Sequence, residues 1–390
     1  MNTHFFHSFL VLFLLKSAFY SLSVYASPID SPTPAPVDPV APAPVDPAAP
    51  APVDPAAPAP VDPVAPAPVD PAAPAPVNPQ ADAIPPFALD FAPLVWLDKK
   101  ETFFPSDIEA HISNTSPFID LKIVETTLPP LSTANLDVLN PLNTDKQHVF
   151  LTTKVPVQDS PKWLEGVAPD QDGKTKDATT CVTIISNRGN GTVDVFYMYF
   201  YSFNKGTDVL FHELGNHVGD WEHNMIRFQN GEPDSIWFSQ HSNGQAFRYQ
   251  AVEKQGKRPV VYSARGSHAN YAIDGNHDHT IPNINLPAGP VTDRTSQGTL
   301  WDPVKSSFFY TYDGATNSIA PLNNSPLGFM KYNGLWGNAD MPKDDPAQES
   351  LFGFPKFVAG PSGPMDKRLN RINVCLNDDK SCKVRDKLAA

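Results

Sequence analysis

The chain has 390 residues with 44 prolines, 11% aromatics and a formal net charge of −13. Seven aspartates and no Lys or Arg lie between Ser27 and Pro86, so about half of the negative excess sits in that stretch alone. Neither part of the chain carries the clustered Lys and Arg that phosphate neutralisation requires, which excludes a nucleic-acid partner.

In the opening residues 1–26, the stretch "HFFHSFLVLFLLKSAFYSLSVYA" from His4 is apolar apart from Lys16 and a few serines and histidines, and ends with the small Val24 and Ala26 that a signal peptidase prefers. Cleavage near Ala26 is expected, with an uncleaved anchor as the alternative. The chain is therefore expected to be secreted or attached to the cell wall, or, if the leader is retained, to act in the vacuolar or secretory lumen. Residues 27–86 form a second region. From Ala35 the octapeptide APVDP(V/A)AP runs five times to Pro74, followed by a decayed sixth copy, "APVNPQAD". Proline at three positions in eight removes backbone donors and fixes φ near polyproline II, so this region is read as a disordered, extended stalk. At ~3.1 Å per residue the stretch from Ala35 to Asp82 would reach on the order of 150 Å.

Residues 87–390 have a globular composition. "FALDFAPLVWLD" opens this body, and "PSDIEAHIS" reads as a short helix. "ATTCVTIIS", "MYFYSF", "SIWFSQ", "AFRYQAV" and "RPVVYSA" are β-branched or aromatic runs bounded by Gly, Pro, Asn and Asp. In "AFRYQAV", Phe247, Tyr249 and Ala251 alternate with Arg248 and Gln250, the period of a half-buried strand. The body is expected to be mainly β, an antiparallel two-sheet β-sandwich with long loops. Asn114, Asn190 and Asn323 head glycosylation sequons. Cys375 and Cys382 frame a short acidic loop that a disulfide can close, while Cys181 is left over in an apolar strand as a buried thiol.

The chemistry concentrates in "HELGNHVGDWEH", residues 212–223. A zinc-protease helix needs histidines at i and i+4, but His212 and His217 are five apart with Gly215 and Asn216 between them. In an extended segment Asp220 and Glu222 share one face while Trp221 and His223 share the other, and His217 joins the carboxylates only if "HVG" turns. Two carboxylates and an imidazole suit Ca, Mg or Mn with waters; the bland reading is a pair of solvated acids at a strand end. Downstream, "ARGSHANY" places Arg265, Ser267 and His268 after a strand, His241 stands in "SQHSNG", and "DGNHDH" reads as an exposed turn.

The order of "GDWEHNMIRFQNGEPDSIWFSQHSNGQAFRY", "KRPVVYSARGSHANYAI" and "GPSGP" at Gly360 to Pro364 resembles the vacuolar protein sorting-associated protein 62 family over roughly Phe87 to Pro364. That resemblance implies a sandwich-like β domain and a role in vacuolar delivery. More distantly, "NHVGDWE" is similar to the G-H-x-H-D-W-E heptapeptide of necrosis-inducing cytolysins. There the matching His, Asp and Glu surround a divalent cation that engages a sphingolipid head group at a membrane. Carried over, this implies metal ligands at His217, Asp220 and Glu222. Asn216 and Gly219 depart from the heptapeptide, and the upstream acidic ligand has Asp208 as its candidate, with Asn204 equally placed. The resulting expectation is a non-enzymatic protein whose divalent-cation site binds a glycan or lipid head group, with His268, Arg265 and His241 at its rim and a membrane surface as a further partner. A vacuolar sorting factor, a membrane-damaging cytolysin and a metal-assisted hydrolase using Glu222 as base are the alternatives.

Overall fold

The computed structural model describes residues 83–125, 129–209, 211–278, 291–351, 353–376 and 382–388. The leader and the octapeptide repeats lie outside the described residues.

A central eight-stranded sheet runs in the order Ser318–Leu322, Ser307–Asp313, Cys181–Gly189, Thr192–Asn204, His217–Gln229, Glu232–Gln240, Asn243–Arg248 and Val384–Arg385. Its middle strand, Thr192–Asn204, explains the unbroken apolar run in "MYFYSF". Phe196, Met198 and Phe200 enter one core while Val195, Tyr197, Tyr199 and Tyr201 enter another, so both faces of the strand are dry. Each such side chain contributes roughly 1.5–3 kcal/mol on burial, enough to fix the register.

Over the tyrosine face lies a five-stranded sheet of Lys254–Gln255, Arg258–Ser263, Leu94–Leu97 and Thr299–Trp301, with Asn270–Tyr271 paired to Arg258–Ser263. Val95, Leu97, Val261 and Trp301 complete the core between the two sheets. This pair is the expected sandwich. The opposite face carries a third layer, a three-stranded sheet of Lys122–Ile123, Thr115–Ile119 and Phe150–Thr153 together with the helix Ile108–Ser113. Asp107 caps that helix by accepting from Ala110 N at 2.7 Å, and its other oxygen accepts from Thr179 N at 2.8 Å.

Three departures from the sequence expectations have physical reasons. The pairing is mixed: Leu94–Leu97 runs parallel to Arg258–Ser263, Ser307–Asp313 to Cys181–Gly189, and Asn243–Arg248 to Val384–Arg385. Alternation along a strand does not reveal the direction of its neighbour. The "AFRYQAV" strand stops at Arg248, where a 3-10 turn, Tyr249–Ala251, takes over. Tyr249 is still buried, because its hydroxyl donates to Lys257 O at 2.5 Å. "DGNHDH" is not an exposed turn: Gly275–Asp278 pairs with Thr292–Thr295, and His277 is buried with its ring stacked on Tyr271 at 3.8 Å. Cys375 and Cys382 are disulfide-bonded, and Cys181 is a buried free thiol.

Candidate functional site

The strand His217–Gln229 pairs antiparallel with Thr192–Asn204, placing Asp220 opposite Tyr201 and Glu222 opposite Tyr199. Trp221 and Met225 enter the core on one face. Asp220 and Glu222 face the five-stranded sheet, as alternation requires, with 6% and 8% of their surfaces exposed.

The turn in "HVG" comes from Gly219, which adopts φ +71°. Its bare Cα is pressed against the neighbouring chain: a Cβ there would lie 2.0 Å from the Trp336 carbonyl oxygen. His217 Nδ1 lies 2.7 Å from the Gly219 carbonyl, so Nδ1 carries the proton and Nε2 keeps its lone pair. Burial pushes the His217 imidazole below its ordinary pKa, against the opposing pull of Asp220.

His268 closes the site from the five-stranded side. Its Nδ1 lies 2.9 Å from Asp220 Oδ2 and its Nε2 donates to Phe103 O at 3.0 Å, while its ring stacks on Tyr201 at 3.7 Å and 3°. Both ring nitrogens face oxygens, so the imidazole is held at both ends. Ser239 Oγ donates to Glu222 Oε2 and itself accepts from His223 N at 3.0 Å. Burial, reinforced by the charge of Asp220, pushes the Glu222 carboxyl up to about 8, with Lys367, Ser239 and His241 opposing.

A second carboxylate–imidazole pair stands beside the first. Asp293 is buried and accepts from Ser267 Oγ, Tyr271 Oη and His241 Nε2, each at 2.7 Å. Burial would lower the His241 imidazole, but the charge and hydrogen bond of Asp293, with Glu222 and Asp220 behind them, outweigh it and hold the group above its ordinary pKa. His241 and His268 both sit on left-handed backbone, at φ +53° and +56°. Non-glycine residues rarely adopt that conformation, and such strain is typical of functional positions.

The structure thus brings together Asp220, Glu222, His217, His268 and His241, and leaves others apart. Asp208 lies on the hairpin of Thr207–Val209 and His212–Leu214, 63% exposed, with Lys205 as its ion partner at 3.7 Å. Asn204 is buried and donates to Gly215 O at 3.3 Å. Arg265 is half-buried, its backbone N bonded to Arg294 O at 2.9 Å. His212 and Glu213 lie on the same hairpin as Asp208, in a strand and not in a helix. Sequence reasoning missed Asp293, Tyr271, Tyr201 and Lys367, because each comes from outside the motif that carries the carboxylates.

For a metal ion, the donor chemistry fits better than the count. The carboxylates are hard oxygens, and Asn270 Oδ1 is buried without a hydrogen-bond partner among the described residues. Yet the described residues contain no group of three or more His, Cys, Asp or Glu arranged to hold an ion. A divalent ion would rest on Asp220 and Glu222 alone, and would keep its remaining positions for water or ligand oxygens.

A family model described as vacuolar protein sorting-associated protein 62 matches residues 75–280. The putative vacuolar protein sorting-associated protein TDA6 of Saccharomyces cerevisiae is 35% identical over 328 residues, covering 75% of this chain and 68% of its own. Vacuolar protein sorting-associated protein 62 of the same yeast is 31% identical over 318 residues, with the same coverage of 75% and 68%. Among solved structures, Necrosis and Ethylene inducing Protein 2 from the causal agent of cocoa's witches broom disease matches 49% of this chain and 69% of its own, at 13% identity and a TM-score of 0.24. The non-toxic HaNLP3 protein matches 70% and 83% at 10% identity and a TM-score of 0.29. At those scores neither structure carries an argument about the site.

Proposed function

Since the chain belongs to the vacuolar protein sorting-associated protein 62 family, we propose that it works in vacuolar protein sorting, on the luminal side of the secretory pathway, as a binding protein and not an enzyme. The observation that supports the binding reading is the placement of Asp220 and Glu222 together on one buried face of one strand, with His217 beyond the turn at Gly219. The two carboxylates would hold a hydrated divalent cation, which supplies positive charge between protein carboxylates and the hydroxyl or phosphate oxygens of a glycan or lipid head group. His268 fixes Asp220 through the hydrogen bond between Nδ1 and Oδ2, and Ser239 fixes Glu222, so the two carboxyl groups keep their orientation without a ligand. His241, anchored by Asp293, lines the same face. The apolar leader and the Cys375–Cys382 disulfide agree with an oxidising lumen.

The test follows the full-length chain in cells by fluorescence and by glycosidase sensitivity. Glycosylated protein in the vacuole or its delivery compartments supports the reading. Protein recovered wholly from the medium with Ser27 at its amino terminus would place it outside the cell and overturn the sorting role.

A further inference from the structure

A cavity of about 350 Å³ is lined by Phe103, the residue whose carbonyl accepts from His268 Nε2. Its walls are Phe103, Phe104, Val157, Leu164 and Phe203, with the Phe103 and Phe203 rings 4.9 Å apart. The charged residues lining it are Glu101 and Glu165, and no Lys, Arg or His joins them. We propose that this cavity binds a small organic ammonium, a cation carrying apolar substituents, such as a quaternary ammonium group.

Three features select that chemistry. First, two carboxylates without a basic partner repel anions and leave a buried neutral ligand nothing to answer their field. Second, the carboxylate of Glu101 is already committed. Oε1 accepts from Thr102 N and Phe103 N and Oε2 from Gly266 N, each at 2.8 Å. A bare metal ion would have to displace those donors, whereas an organic cation needs only the field and the ring faces. Third, a quaternary ammonium is weakly hydrated and is attracted to the faces of aromatic rings, so apolar walls hold it where they would reject the ammonium of a lysine. The volume lies within the range of small-molecule pockets. The proposal does not depend on the cation reading of Asp220 and Glu222.

The experiment titrates the full chain with choline and, in parallel, with its neutral isostere 3,3-dimethylbutan-1-ol, reading the heat of binding by calorimetry. Choline is expected to saturate at least tenfold more tightly than the alcohol. Glu165→Gln, at an exposed position, should weaken choline about three- to fivefold, the size of an exposed charge interaction, and leave the alcohol unchanged. Equal affinity for the two ligands, no effect of Glu165→Gln, or no saturable choline binding by a variant-free chain with an unchanged melting curve would each overturn the assignment.

Discussion

Gly219→Ala tests whether the turn that aims His217 is set by the backbone. Two costs apply. An alanine held at φ +71° costs roughly 1–2 kcal/mol in the left-handed region. Its Cβ would also sit 2.0 Å from the Trp336 carbonyl oxygen, so that peptide must retreat by more than an ångström. The retreat is obstructed, because the same carbonyl accepts from His111 Nε2 at 3.0 Å and the Trp336 indole packs against Trp221 and Phe200. Overpacking of this kind costs about 1–3 kcal/mol, and a lost buried hydrogen bond about 1 kcal/mol more. The sum is about 3–6 kcal/mol. Gly215→Ala provides the calibration: φ is +85°, but nothing lies within 4 Å of the added Cβ, so only the conformational cost remains. Urea unfolding of the two variants, followed by tryptophan fluorescence and far-ultraviolet circular dichroism, should separate them by about 2–4 kcal/mol at equal m-values. Losses within about 1 kcal/mol of each other would refute the role given to the Trp336 contact. Gly219→His, which would restore the second histidine of the heptapeptide, should be no better tolerated than alanine.

Calcium, magnesium or manganese should raise the melting temperature of the protein, and Asp220→Ala should remove the shift; at a hundredfold excess over Kd the gain is ~2.7 kcal/mol, and no shift with any of the three ions would remove the cation from the proposed function. Asp293→Ala strands three donors and should cost about 3–5 kcal/mol, against about 1 kcal/mol for Tyr271→Phe; a loss under 1 kcal/mol for the former would mean that the network does not bear on stability. Burial pushes the Cys181 thiol up to about 12, so the folded protein should resist thiol reagents at pH 8 and react only after denaturation; labelling of the native chain would contradict this. Burial likewise pushes His111 down to about 3 from its ordinary 6.5, so its contribution is whole above pH 6.5 and is lost as the pH falls. Replacing His111 by Asn should therefore flatten the acid limb by about 2 kcal/mol between pH 6.5 and 5, read as the difference in unfolding free energy between the two proteins at each pH.

Much of the site was legible where period-two alternation decides the outcome. Asp220 and Glu222 had to share a face, and Trp221 and His223 the other, once the segment was extended. The buried strands and the helix capped by Asp107 were legible for the same local reason. What was not legible depends on which strand lies beside which. Asp293 reaches His241 only because Thr292–Thr295 folds back on Gly275–Asp278, and nothing in "TDRTSQ" announces a partner. Asp208, chosen by its distance in sequence from His217, ended on an exposed hairpin because the chain turns at Lys205 before returning to the sheet. Gly219 illustrates the limit best. In sequence it was a missing ligand, whereas in the fold it is the one residue small enough to pass under Trp336.

His241 and His268 occupy positions where asparagine or glycine would rest more easily, so they divide the interests of anyone engineering this protein. A stabilisation campaign scored on melting temperature alone would be drawn to both positions, since relieving left-handed strain commonly yields a fraction of a kcal/mol. It would thereby delete the two imidazoles that face Asp220 and Asp293. A library diversified at these positions and sorted separately for thermal tolerance and for ligand capture should split into two non-overlapping populations.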